Sequence, residues 1–289
     1  MNQGQKKKVG LALSGGFIRA TAQIGVIEVL EENHIQIDIV SGCSSGSAVA
    51  AAYAAGTLPQ MKERLTNGRW WEYWHVIFEP TIPRQGFLKG ERNRRFFAEF
   101  VGDKQFSELN KKLLITATDL QTMHEVILTE GSVSQAIQAS TTVPGVFVPV
   151  RWGDSLLADG ANFNLIPSRT LYESGAEYVI AIDVSQPPNI FTRFLANAKR
   201  LLRRQDTIKK YGPKTVREMH IVELVRRAAA LSSSQIHNFY NEAYPHDLLI
   251  RPDVTGVKRW HVSLVNYCLQ QGRIAAEAAL PQLKKDLGL

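Results

Sequence analysis

Ser44 is the residue whose setting in the sequence most directly suggests chemistry. It lies in Gly42-Cys43-Ser44-Ser45-Gly46, between a run of strand formers at 35–40 and an alanine-rich helix predicted at 48–55. A serine in a tight turn between a strand and a helix is the arrangement of a nucleophile elbow, where small flanking residues allow a strained backbone. The start of the helix adds a positive dipole beside the hydroxyl. The spacing therefore predicts a serine that attacks a carbonyl carbon.

A glycine-rich turn upstream could serve the same site. Val9–Leu13 is predicted as a buried strand, and Ser14-Gly15-Gly16-Phe17 follows it before a helix with apolar residues at Ile24, Val26, Ile27 and Leu30. Backbone amides of such a turn can bind an anion. The turn lacks the lysine of a phosphate-binding loop and the third glycine of a dinucleotide-binding loop. We expect an oxyanion hole here, and a tight strand-to-helix turn without a ligand is the alternative.

Asp159 is the candidate base. The segments 146–152 and 155–158 are predicted as strands joined by a Gly153-Asp154 turn, which places Asp159 at a strand end and Asp154 in an exposed turn. In a Ser-Asp dyad the carboxylate accepts the hydroxyl proton. A Ser-His-Asp triad would instead need a histidine downstream of the acid. The available histidines, none with turn residues close around it at a predicted strand end, are His220, His237, His246 and His261.

The three motifs belong to a longer series of blocks. The series comprises Leu13-Ser14-Gly15-Gly16-Phe17-Ile18-Arg19, Ile24-Gly25-Val26, Gly42-x-Ser44-x-Gly46 and Asp159-Gly160-Ala161, with further stretches at 86–90, 117–120 and 136–144. Together the blocks cover roughly residues 8 to 185. In order and spacing they resemble the signature of the patatin-like phospholipases in their small bacterial form.

The resemblance implies a serine esterase that hydrolyses acyl esters of lipids, of the phospholipase A or lysophospholipase type. Carried over by motif, Ser44 is the nucleophile and Asp159 the base. The amides around Gly15 and Gly16 form the oxyanion hole, with Phe17 and Arg19 in the same substrate-binding block. The family needs no histidine, no metal and no cofactor for this reaction.

Three positions depart from the family pattern. Phe17 stands where a third glycine is usual, Ala20 stands where a glycine follows the basic residue, and Ala161 replaces the second glycine after the aspartate. A side chain at Phe17 restricts the backbone and narrows the approach to the turn. Two alternatives therefore stay open, a short-chain or thioester hydrolase on the same dyad and a catalytically weak relative with a membrane-binding or regulatory role.

The fold is predicted as α/β, with a mostly parallel central sheet flanked by helices on both faces in three layers. Further strands are predicted at 112–118, 125–128 and 178–182, with helices at 168–174 and 263–280, the last ending before Pro281. No internal repeat or long Pro/Gly/Ser linker divides the 289 residues. We expect one hydrolase domain over 1–289, with the motifs in 8–185 and a basic, helical region at 186–289.

Composition bears on location and redox state. The chain has only two cysteines, Cys43 and Cys268, and no apolar run long enough for a signal peptide core or a membrane span. A cytoplasmic protein is the expectation, with peripheral association at the inner membrane face. Cys43 is interpreted as a buried packing residue rather than a second nucleophile.

The positive charge is concentrated in one segment. The whole chain carries +7, whereas residues 191–227 hold eleven Lys and Arg against three acidic residues, a net +8. The pattern at 190–204 predicts a basic amphipathic helix suited to an anionic bilayer. A helix docked on the sheet with a solvated basic face fits the pattern equally well. No groove-reading or aromatic-stacking motif accompanies the charge, so nucleic acid is not an expected partner. The oligomeric state is left open.

The stretch from Trp70 to Phe78 holds three of the five tryptophans. Amphipathic aromatic side chains favour membrane interfaces and acyl pockets. The stretch is interpreted as a lid or a wall for lipid entry, and ordinary core packing is the alternative.

Overall fold

The computed structural model describes residues 7–82, 85–185, 235–236, 239–240, 242–258 and 261–289. Its strands are β1 Val9–Leu13, β2 Ile39–Cys43, β3 Lys112–Asp119, β4 His124–Leu128, β5 Val150–Trp152, β6 Ser155–Asp159, β7 Tyr178–Ile182 and β8 Leu248–Ile250. Its principal helices are α1 Thr21–Glu32, α2 Ser45–Ala55, α3 Leu58–Asn67, α4 Trp70–Ile77, α5 Glu91–Val101, α6 Val133–Thr141, α7 Ser168–Glu173 and α8 Val265–Leu287.

Five strands form the parallel part of one sheet, in the order β8-β7-β1-β2-β3. All five residues of β1, β2 and β7 are buried, as expected for parallel strands covered on both faces. The antiparallel strand β4 covers the other side of β3, and the hairpin of β5 and β6 pairs with the last residues of β3 on the side of β2. The predicted α/β fold with a mostly parallel sheet and flanking helices is confirmed.

Strand β3 changes partner along one of its sides, and this change creates a junction. Its residues 115–119 pair with β4. On the other side Thr116 pairs with Cys43 at the end of β2, and the next residue, Ala117, pairs with Asp159 at the end of β6. Strands β2 and β6 therefore meet end to end against β3, which brings the residue after Cys43 close to Asp159.

The two faces of the sheet carry separate apolar cores. The larger core packs α1, α2, α3, α5, α6 and α8 against side chains such as Leu11, Leu13 and Ile115. The smaller one packs Ile166 and Leu171, in and just before α7, against the alternate side chains of the same strands. Each strand thus supplies both cores by its two-residue alternation.

Helix α8 closes the larger core by a near-contact of two backbones. A side-chain carbon at Gly25 of α1 would collide with the main chain of Leu269, and one at Gly272 of α8 would collide with the carbonyl of Ala22. Two glycines facing each other allow the helix axes to approach this closely. Arg273 adds ion pairs with Glu28 and Glu32 across the same contact.

Three predicted boundaries were wrong, those of β2, β5 and α8. Strand β2 starts at Ile39, because the Ile35 amide is still bound to the Leu30 carbonyl at the end of α1, and the Val9 amide donates to the Asp38 carboxylate rather than to a backbone carbonyl. Helix α8 continues through Pro281 to Leu287. Pro281 has no amide hydrogen to donate to the carbonyl of Glu277. Both residues are exposed, so water can solvate that carbonyl. Leu283 is fully buried and anchors the last turns of the helix.

The strand predicted from 146 is formed only from Val150. The other element predictions agree with the structure to within a few residues. Asp154 lies in the exposed turn between β5 and β6, as predicted. The basic amphipathic segment at 190–204, and the whole of 191–227, lies outside the described residues. No helix among the described residues is long and apolar enough to cross a membrane.

Candidate active site

Ser44 occupies a strained turn between β2 and α2. Its backbone has φ 52° and ψ −130°, a left-handed conformation that non-glycine residues rarely adopt and that costs on the order of 1–3 kcal/mol. The flanking glycines make the turn sterically feasible. A side-chain carbon at Gly42 would lie 2.6 Å from the Cα of Ser47, and one at Gly46 would lie 2.5 Å from the carbonyl oxygen of Leu13. The Gly-x-Ser-x-Gly spacing is thus a packing requirement.

The Ser44 hydroxyl donates a hydrogen bond to the Asp159 carboxylate. The distance from Ser44 Oγ to Asp159 Oδ2 is 2.9 Å. The two side chains come from opposite ends of the β2–β6 junction on β3, and both residues are nearly buried, at 9% and 6% exposure. Such a pair can transfer the hydroxyl proton to the carboxylate as the oxygen attacks a carbonyl carbon.

The Asp159 carboxylate is fixed in orientation. Its other oxygen, Oδ1, accepts from the amide of Ala161 at 2.9 Å, so the aspartate caps the following 3-10 turn. Its main-chain carbonyl accepts from the hydroxyl of Thr118 and the side-chain amide of Asn162, and its amide donates to the carbonyl of Thr142. One carboxylate oxygen is therefore committed to the backbone and the other to Ser44.

A buried serine far from Ser44 in the sequence holds the elbow in place. Ser140, at the end of α6, accepts a hydrogen bond from the Ser44 amide at 2.9 Å and donates one to the Thr116 carbonyl at 2.7 Å. Ser140 belongs to the 136–144 stretch, and no role was predicted for it. No local pattern reveals it, since its partners lie 96 and 24 residues away in sequence.

The glycine-rich turn lies directly against Ser44. A side-chain carbon at Gly15 would be 2.9 Å from the Cβ of Ser44. The amide of Gly16 donates to Ser45 Oγ at 2.9 Å, which ties the turn to the elbow. Phe17 has φ 55°, so this residue adopts the left-handed conformation in the position where the family usually has glycine.

The four residues proposed for this block do not all face the hydroxyl. Gly15 and Gly16 approach the elbow, and the Phe17 side chain lines the cavity above it. The Arg19 guanidinium instead donates to the carbonyls of Val257 and Ser185. Arg19 thus ties the turn to the segment after β7 and to the stretch before α8.

An apolar cavity of about 190 Å³ opens above Ser44. Its walls come from α2, α3, α4 and α5, with Val49, Met61, Ile77, Phe96 and Phe100 among the lining side chains. Its small polar lining residues are Thr21, Ser44, Ser45, Asn93 and Thr141. Burial of a hydrocarbon chain against such walls is favourable, whereas a polar ligand would lose its hydrogen bonds to water there.

The tryptophan stretch forms α4 at the cavity mouth. Tyr73 is buried and lines the cavity, while Trp74 lines it and stays 47% exposed. Trp71 and Phe78 are exposed. One side of the helix therefore packs in the core, as the alternative interpretation predicts, and the other side reaches solvent.

The histidines in the described part of the chain contribute nothing to the Ser44 hydroxyl bond. His246 precedes β8 and so lies at the end of the sheet opposite Ser44, and burial lowers the pKa of its half-buried imidazole. His261 lies just before the turn that contributes Val262 to the cavity. His220 and His237 lie outside the described residues.

The Cys43 side chain is fully buried beside the elbow, and burial raises the pKa of its thiol well above the usual range. This supports its interpretation as a packing residue. Within the described ranges, no three His, Cys, Asp or Glu side chains form a group that could hold a metal ion.

Comparison with known proteins identifies relatives over most of the chain. An uncharacterized NTE family protein of Mycobacterium tuberculosis is 27% identical over 303 residues, which cover 97% of this chain and 48% of the relative. Lysophospholipase NTE1 of Phaeosphaeria nodorum is 34% identical over 182 residues, or 62% of this chain and 12% of that protein. The chain therefore spans about half, or less, of the length of these relatives.

Among solved structures, VipD from Legionella pneumophila aligns with a TM-score of 0.45 at 13% identity, covering 96% of this chain and 67% of that one. The sequence signature of the patatin-like phospholipases matches residues 11–172, which is more than half of the chain. The matched range includes Ser44, Asp159 and the glycine-rich turn. The chain belongs to the patatin-like phospholipase family.

Proposed function

We propose that this chain is a serine esterase that hydrolyses acyl esters of lipids, of the phospholipase A or lysophospholipase type. The observation that carries the proposal is the 2.9 Å hydrogen bond from Ser44 Oγ to Asp159 Oδ2 at the base of an apolar cavity. Family membership and the lysophospholipase named among the relatives support a lipid substrate.

In the proposed reaction Ser44 Oγ attacks the ester carbonyl while Asp159 accepts its proton. The tetrahedral intermediate collapses to an acyl-enzyme, and the leaving alcohol takes the proton from Asp159. A water molecule then attacks the acyl-enzyme, again giving a proton to Asp159, which passes back to Ser44 as the fatty acid leaves. The residues end the cycle as they began it.

The turn Gly15–Phe17 is the proposed oxyanion hole. Its support is the close approach of Gly15 to the Ser44 side chain and the position of Gly16 beside Ser45. Donors fixed in advance stabilise the negative charge that develops on the carbonyl oxygen. The Gly16 amide would have to exchange its bond to Ser45 Oγ for one to the oxyanion.

We further propose that the described residues form one hydrolase unit, since α8 packs on α1 across the Gly25–Gly272 contact. A short-chain or thioester hydrolase is the second candidate on the same dyad. The cavity favours the lipid substrate because its walls are almost entirely apolar.

A panel of esters with labelling tests the proposal. Purified protein is assayed on p-nitrophenyl esters of increasing chain length, an acyl thioester, phosphatidylcholine and lysophosphatidylcholine, and is labelled with a fluorophosphonate. We expect hydrolysis to increase with chain length and labelling to disappear in Ser44→Ala. Labelling retained in Ser44→Ala, or turnover confined to the shortest esters or to the thioester, would contradict it. A folded protein with neither labelling nor turnover would favour the catalytically weak relative.

A further inference from the structure

Exposed apolar side chains gather around the mouth of the cavity. Twelve large hydrophobic residues are exposed in the described part of the chain, and half of them lie on α4 or in two nearby loops. These six are Trp71, Trp74, Phe78, Ile82, Phe87 and Val146. We call this set the apolar rim. Soluble proteins rarely expose so many large apolar side chains together unless the surface binds a partner.

The three segments of the apolar rim are held together by backbone hydrogen bonds. The amide of Thr81 donates to the carbonyl of Phe87 at 3.0 Å, and the amide of Phe87 donates to the carbonyl of Val146 at 2.9 Å. The rim is also continuous with the cavity, because Trp74 belongs to both and the residue after Val146, Phe147, lines the cavity. The rim is thus one connected surface beside the entrance to Ser44.

Cationic side chains are attached to the same elements. The Arg69 guanidinium lies 4.9 Å from the ring of Trp71, and Arg92 donates to the carbonyls of His75 and Phe78 at the end of α4. Lys89 is exposed two residues after Phe87. Of the nearby acids, Glu72 is already paired with Arg64. Tryptophan and phenylalanine beside arginine and lysine is the composition that favours the interface of an anionic bilayer.

We propose that the apolar rim docks on the surface of an anionic lipid bilayer, so that the cavity mouth opens toward the acyl chains. A lipid surface fits better than a second copy of the chain, because the rim borders an apolar cavity and is flanked by cations. The lipid as substrate rests on the function proposed above, whereas the docking itself does not depend on hydrolysis.

The test uses Ser44→Ala protein, which leaves the vesicle lipids intact. Flotation is measured with phosphatidylcholine vesicles, with and without phosphatidylglycerol, for this protein and for a version that also carries Phe78→Ser and Phe87→Ser. The matched control carries Phe239→Ser, an equally exposed phenylalanine whose neighbour Tyr240 stacks on Arg169 of α7, on the other face of the sheet. Circular dichroism checks that each variant is folded.

We expect binding that is stronger with phosphatidylglycerol, and a loss on the order of tenfold or more in the double variant, since two aromatic side chains no longer enter the interface. The Phe239→Ser control should bind like the parent. Equal binding of the double variant and the control, or no binding of the parent to either vesicle, would overturn the proposal. A parent that is dimeric by light scattering and becomes monomeric in the double variant would assign the rim to self-association instead.

The two proposals fail separately. Vesicle binding by Ser44→Ala together with an absence of ester hydrolysis by the unmutated protein would leave the docking surface standing and remove the proposed function. Ester hydrolysis without rim-dependent binding would do the reverse. Reversal of Arg200, Arg203 and Arg204 to Glu, made in parallel, measures the separate contribution predicted from the sequence for the basic segment.

Discussion

Ser140 Oγ lies 2.9 Å from the amide nitrogen of Ser44 and holds the strained elbow from behind. The same hydroxyl donates to the carbonyl of Thr116, the last β3 residue paired with β2 before the β6 junction. One side chain therefore links α6, the sheet and the candidate nucleophile. Because Ser140 is fully buried, no water can take its place without a rearrangement.

Ser140→Ala should lower kcat while changing KM little. The substitution leaves the Ser44 amide and the Thr116 carbonyl without their buried partner, which costs about 1–3 kcal/mol of stability and loosens the elbow. We expect kcat to fall on the order of tenfold, since small displacements of a reacting group are costly. Steady-state kinetics and denaturant unfolding measure the two effects.

Ser134→Ala is the matched control for Ser140→Ala. Ser134 is another fully buried serine of α6, and its hydroxyl pairs with Ser132 rather than with the elbow. It should destabilise the protein without lowering kcat. If both variants lowered kcat equally, or Ser140→Ala left kcat unchanged, Ser140 would be only a structural residue.

At position 17, a glycine variant should be more stable than an alanine variant, which is the reverse of the usual order of stability. Both Phe17→Ala and Phe17→Gly remove the aromatic wall of the cavity, but only glycine relieves the φ of 55°. We expect the glycine variant to be more stable than the alanine variant by about 1 kcal/mol. Denaturant unfolding of the pair gives this difference directly. An alanine variant of equal or greater stability would show that the left-handed backbone is not strained.

Cys43 should be unreactive despite its position next to Ser44. Burial raises its thiol pKa, so less thiolate is present at any given pH and alkylation is slowed. With iodoacetamide at mildly alkaline pH, mass spectrometry should detect almost no alkylation of Cys43 in the folded protein. Ester hydrolysis should stay nearly unchanged. Urea-unfolded protein, the positive control, should be modified at both Cys43 and Cys268. Rapid alkylation of Cys43 in the folded state with loss of activity would count against this.

The sequence predicted the buried parallel strands well because their composition is local evidence. Val9–Leu13 and Tyr178–Ile182 are apolar runs bounded by polar or turn residues, and the structure has both with the predicted bounds. Strand β2 was harder, since its second half is Ser41-Gly42-Cys43, small residues needed by the elbow and not typical of strands.

The site was predictable only where a motif carries it. Ser44 and the Gly15 turn follow neighbouring parallel strands, so their convergence followed from the parallel arrangement, whereas Asp159 ends the antiparallel strand β6 and was assigned by its motif. The partner change along β3, the bracing by Ser140 and the turning away of Arg19 depend on contacts between residues far apart in sequence. No period or spacing records such contacts.

No histidine should be essential for turnover. Alanine substitutions at His220, His237, His246 and His261, made one at a time, should each leave most of the ester hydrolysis intact. A histidine variant as impaired as a variant of Asp159 would indicate a triad.

The most direct test is the turnover number of Asp159→Asn on an ester that the unmutated protein hydrolyses. Asparagine keeps the side-chain oxygen that caps the Ala161 amide and can still reach Ser44 Oγ, so the fold should survive, as circular dichroism can verify. It cannot accept the hydroxyl proton. We predict a loss of roughly a thousandfold or more in kcat, given that removal of a general base typically costs roughly 10²–10⁴. A folded Asp159→Asn protein that keeps a tenth or more of the original kcat would contradict the Ser44–Asp159 dyad.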